Sequence, residues 1–102
     1  MESLIISLRD KNKSLIQRIE LLYTFIDQKV DEGWNRKQMY SLCIDLLNNY
    51  DMEEGVINPV YEYLTILIGD CAPSSIFRFK DEPEKEEDLT DYVRSFIWIY
   101  AD

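Results

Sequence analysis

The chain has 102 residues, of which 46% are hydrophobic and 13% aromatic, with only three glycines and three prolines. These figures describe one globular, helix-favouring domain, residues 1–102, and exclude a disordered or turn-rich chain. The net charge of −9 disfavours direct binding to nucleic acid, because phosphate contacts need clustered Lys and Arg.

Helix signals run the length of the chain. Leu4, Ile5 and Leu8 make a short apolar segment over residues 2 to 9, and the polar Lys11-Asn12-Lys13 breaks it. Ser14 and Gln17 have the spacing of a capping box, in which each side chain satisfies a backbone N–H at the other position. The apolar residues at 15, 16, 19, 22, 23 and 26 follow helical spacing and predict a helix to about Lys29 with one buried stripe. Asp31-Glu32-Gly33 ends it, the glycine suiting a left-handed exit. Asn35 is the N-cap of the next helix, whose stripe is Met39, Leu42, Cys43, Leu46, Leu47 and Tyr50. Asp51 to Gly55 reads as a loop. Asn58-Pro59 then reads as an N-cap with proline in the first turn. Val60, Tyr63, Leu64, Leu67, Ile68 and Cys71 form the fourth stripe, closed by Pro73. Ile76-Phe77-Arg78-Phe79 alternates apolar and basic residues over a short extended piece, and a last helix runs from Pro83 or Glu84 to about Tyr100. Four or five amphipathic helices with mostly short connections predict an all-α fold, a single-domain antiparallel bundle.

Catalytic equipment is sparse. The absence of histidine removes the usual general base, the usual zinc ligand and every Ser-His or Cys-His nucleophile pair. Gly33, Gly55 and Gly69 are isolated, so there is no phosphate-cradling loop. Asn49 to Gly55 fails the register of a calcium loop, since the twelfth position is Val60 rather than Glu. Glu53/Glu54 and Glu86/Glu87 are adjacent pairs, which a helix turns about 100° apart. The expectation is a protein that is not an enzyme and carries neither metal nor cofactor. Cys43 and Cys71 lie in apolar runs as small core residues without metal spacing. With no signal peptide and no apolar run near the ~20 residues of a membrane span, the expected compartment is the cytoplasm, with no membrane partner.

Charge is divided unequally along the chain. Residues 1 to 44 carry seven basic and six acidic side chains, while residues 45 to 102 carry four basic and fourteen acidic ones. The densest part runs from Asp81 to Asp91, with seven carboxylates against one lysine. Acids in a first helical turn complement the helix dipole, worth about 0.3–1 kcal/mol each, and that plain reading accounts for one or two of them. Seven repel one another. Asp70 closes a helix, where the dipole disfavours acid. A surface held for a basic partner explains both features. The candidate binding residues are Asp70, Glu84, Glu86, Glu87, Asp88 and Asp91. Trp34, Tyr61, Tyr63 and Trp98 read first as core or satellite-cluster aromatics and second as cation–π anchors for an Arg-rich partner.

The C-terminal third adds a resemblance. Gly69-Asp70-Cys71-Ala72-Pro73, Arg78, and Glu86-Glu87-Asp88-Leu89-Thr90-Asp91-Tyr92-Val93-Arg94 resemble the closing pattern of colicin D-type immunity proteins, a bacterial family that includes immunity proteins of contact-dependent inhibition systems. The resemblance spans residues 64 to 100. This chain lacks the family's tyrosine before the Pro73 turn and has Thr90 where a basic residue is usual. The resemblance implies an antitoxin that binds a cognate basic nuclease toxin, often one that cleaves tRNA, its acids standing where RNA phosphates would. As an isolated molecule it would be a monomer or a weak homodimer. Two other classes fit the residues: a nucleic-acid mimic that inhibits a DNA-binding enzyme, and a helical oligomerisation module.

Overall fold

The computed structural model describes residues 2 to 95. Among them are five α-helices and no strand: α1 (Glu2–Leu8), α2 (Leu15–Asp31), α3 (Arg36–Asn48), α4 (Glu54–Ile68) and α5 (Glu86–Ser95), with a 3-10 turn at Pro73–Ser75. This is the all-α bundle that the periodicity predicts. The expected extension of α5 to Tyr100, and Trp98 with it, lies outside the described residues.

Local chemistry explains most helix starts and stops. The chain breaks between Leu8 and Leu15, and Ser14 caps α2: its Oγ accepts from the Gln17 N–H at 3.1 Å, and Gln17 Oε1 accepts from the Ser14 N–H at 2.9 Å. Asn35 and Gln38 repeat the arrangement at α3, both bonds at 2.9 Å. Gly33 (φ 98°) and Gly69 (φ 79°) take the left-handed conformation after α2 and at the end of α4.

Two elements differ from the sequence expectation. Helix α4 begins at Glu54, so Pro59 lies inside it and Asn58 is not its N-cap. The extra turn buries Val56 completely, and its cost is the one intrahelical bond that proline cannot donate. Helix α5 begins at Glu86, so Pro83 and Glu84 precede it in a turn.

Helix α4 packs against both α2 and α3, and α1 packs on α2. The main core joins Leu8, Leu22, Ile26, Met39, Leu46 and Leu67, among others, and Phe79 enters it from the segment after the 3-10 turn. Leu15, Ile16 and Tyr23 of the predicted α2 stripe are exposed; the buried face of α2 includes Arg18 in their place. Helix α5 sits on a separate small cluster of Ile76, Leu89 and Val93, with Cys71 packed against it. Cys43 is buried, Cys71 is half-buried, and both are free thiols.

Candidate functional site

Helix α5 carries most of the candidate residues. Leu89, Thr90 and Val93 are its buried face. The Thr90 hydroxyl satisfies itself by donating to the Glu86 carbonyl at 2.8 Å. Successive residues turn by about 100°, so Glu87, Asp88 and Asp91 fall in one sector opposite that buried face. All three are exposed. No ion pair involves them among the described residues, and residues 96–102 contain no lysine or arginine. Like charges at i,i+4, as at Glu87 and Asp91, cost about 0.2–0.5 kcal/mol.

The other candidates stand apart from this sector. Glu86 is exposed in the first turn, but on the azimuth of the buried stripe, where it serves the helix dipole. Glu84 is exposed in the turn before α5. The Arg78 guanidinium bends onto that turn and donates to the Pro83 carbonyl. Asp70 is exposed at the opposite end of α5, about 12 Å of helix rise from Glu86. There Arg94 donates to the Gly69 carbonyl at 3.3 Å and to the Cys71 carbonyl at 3.5 Å. The Asp70 N–H donates to the Thr65 carbonyl at 3.0 Å, closing the end of α4 as a helix-terminating motif. The acid set against the helix dipole therefore shares its corner with an arginine. The structure brings Glu87, Asp88 and Asp91 together on one face and leaves Asp70 at the other end.

One carboxylate of the acid block is not on the surface. The Glu82 side chain is only 6% exposed and pairs with Arg36, itself 3% exposed, at 2.6 Å. Arg36 Nε also donates to the second Glu82 oxygen at 3.0 Å, a bidentate fork. Its remaining bonds go to the Leu67 carbonyl at 2.6 Å and to the Phe77 carbonyl. The guanidinium carbon lies 4.9 Å from the Phe79 ring centre. A second buried arginine, Arg18, donates to Glu53 at 3.2 Å and to the Lys13 carbonyl at 3.2 Å. That pairing occupies the Glu53 carboxylate and leaves α4 without a side-chain cap.

Sequence reasoning missed both arginines. A signal existed for Arg36: it opens α3, where the dipole opposes a cation, just as Asp70 stands against the dipole at the end of α4. Among the aromatics, Tyr63 is buried with no hydrogen-bond partner for its hydroxyl among the described residues, whereas Tyr61 is exposed. Trp34 meets Phe25 edge-on at 6.5 Å, and Lys29 lies over both rings.

Among the described residues no group of three or more Cys, Asp and Glu side chains is arranged to hold a metal ion, and no helix is long and apolar enough to cross a membrane. Comparison of the chain with protein-family models, with curated proteins and with solved structures gives no match.

Proposed function

We propose that this protein is an antitoxin of the immunity-protein kind, which binds and neutralises a basic nuclease toxin through the outer face of α5. The observation that carries the reading is the disposition of charge. Glu87, Asp88 and Asp91 share one exposed sector without an ion pair among the described residues, while the arginines nearest the core are spent on Glu53 and Glu82. A surface so arranged raises the encounter rate with a cationic cleft and disfavours anionic competitors. The resemblance of residues 64 to 100 to colicin D-type immunity proteins supports the same reading. Asp70, Glu84 and Glu86 then form the margin of the contact, and Glu87, Asp88 and Asp91 its centre.

The test is protection. If the adjacent gene encodes a nuclease domain, co-expression of this protein with that domain should restore growth. The combined reversal Glu87→Lys, Asp88→Lys and Asp91→Lys should abolish that protection while the helical content stays unchanged. Undiminished protection by the triple variant contradicts the electrostatic mechanism. A neighbouring gene for a DNA-binding enzyme, bound through the same face, favours the nucleic-acid mimic.

A further inference from the structure

We infer that Arg36 is the positioning residue of the acidic face: its guanidinium fastens the 76–82 segment, and through it α5, to the four-helix body. The use of that face rests on the binding role proposed above, but the fastening is a property of the free protein and is testable without a partner.

The geometry is specific. Four donated bonds from one side chain join three pieces of chain: the Leu67 carbonyl at the end of α4, the Phe77 carbonyl in the extended segment, and both oxygens of Glu82 in the acid-block turn. Glu82 Oε1 in turn accepts from the Phe79 N–H at 3.0 Å and closes the 79–82 turn on itself. The Phe79 ring, under the guanidinium, belongs to the main core. An arginine suits this place because its planar fork meets four oxygens at once, more than the three N–H donors of a lysine can serve.

Other contacts share in holding α5. Its buried residues, Leu89 and Val93, join Ile76 in a cluster separate from the main core. Arg94 bonds to the body at 3.3 and 3.5 Å, the long end of hydrogen-bond distances, and Tyr92 lines a cleft with Val30, Gly33 and Trp34. The segment before it adds the Phe77 N–H on the Ile66 carbonyl at 3.1 Å and an edge contact of Phe77 with Tyr63 at 5.5 Å. Residues 76–95 thus form a local unit seated by Phe79 in the main core, with Phe77 packed against it, and clamped by the four bonds of one guanidinium. Glu82 acts as the latch of that unit, withdrawn from any partner, and the orientation in which Glu87, Asp88 and Asp91 meet a partner is set from α3.

Hydrogen exchange on the free, full-length protein tests this. In Arg36→Met the amides of Leu89 to Ser95 should exchange about a hundredfold or more faster than in the parent, while those in the middle of α2 and α3 stay within about tenfold of the parent. Glu82→Gln, which keeps the volume and one acceptor, should speed α5 exchange by about tenfold or more, and Arg36→Lys should fall between the two. Glu84→Gln, which removes the same charge from the exposed turn, should leave α5 at the parent rate. Loss of protection together in α2, α3 and α5 would overturn the inference, because the chain would then be one cooperative unit. So would parent-like α5 exchange in Glu82→Gln, the variant that carries the test should Arg36→Met fail to fold.

Discussion

A buried guanidinium is costly unless its donors meet acceptors, and four Arg36 N–H groups do so through Glu82 and two carbonyls. Breaking such a pair leaves a charge stranded, which costs about 3–5 kcal/mol. Arg36→Ala should lower the denaturation free energy by that amount, measured by urea unfolding. Arg36→Met with Glu82→Leu should recover part of the loss, since the Leu67 and Phe77 carbonyls still lose their donor. A cost under about 1 kcal/mol for Arg36→Ala would indicate a pair that is solvated in solution. Cys43 gives a pH-dependent expectation. Burial pushes its thiol up to about 12 from 9.0. The folded thiol is neutral where the unfolded one ionises, so its contribution is complete below pH 9.0 and is lost as pH rises through about 12. The unfolding free energy from urea titration should fall between about pH 9 and about pH 11, with a slope of up to about 1.4 kcal/mol per pH unit from this thiol. Cys43→Ala should flatten that limb, and an unchanged slope would mean the thiol is accessible. What was legible at this scale was local. The Ser14–Gln17 box joins positions three apart, whereas Arg36 and Glu82 stand 46 positions apart. Spacing along the chain could not pair them.

At the scale of the element, the end of α4 makes a close approach to the last turn of α5. Gly69 has φ 79°, and a Cβ there would lie 3.1 Å from Val93 Cγ1 and 3.2 Å from Arg94 Cγ. Gly33 has φ 98°, but a Cβ there would meet nothing within 4 Å. Both Gly→Ala changes incur the left-handed backbone cost of about 1–2 kcal/mol. Gly69→Ala should cost more than Gly33→Ala by thermal unfolding, and it alone should perturb α5; equal costs would remove the close approach of α5 from the account. The helices themselves were legible because their stripes repeat at 3.6 residues. The start of α4 was misplaced because Asn58-Pro59 is a strong local start signal, overridden here by the burial of Val56 one turn earlier. The flanks of the α2 stripe were misjudged because exposed Leu15, Ile16 and Tyr23 share its period with buried Leu22 and Ile26. Periodicity marks a face but not the width of its cover.

For the whole molecule, the division of charge along the sequence was legible as numbers but not as places. Folding withdraws Glu82 from the surface, pairs Glu53 with Arg18, seats Arg94 beside Asp70, and leaves Glu87, Asp88 and Asp91 as the coherent anionic sector. The acid block is therefore two devices, a buried latch and an exposed face. Its ambiguity in sequence arose because helix-dipole acids, latch acids and surface acids are the same residue types. Titration calorimetry of this protein against a basic nuclease toxin domain that it protects against, at about 0.1 M and about 0.5 M salt, tests the central claim most directly. The parent should lose affinity by about tenfold or more at the higher salt, and Glu87→Lys with Asp91→Lys should bind weakly at both. Equal affinity at the two salt concentrations, unaffected by the reversals, would contradict the α5 face as the toxin-binding surface.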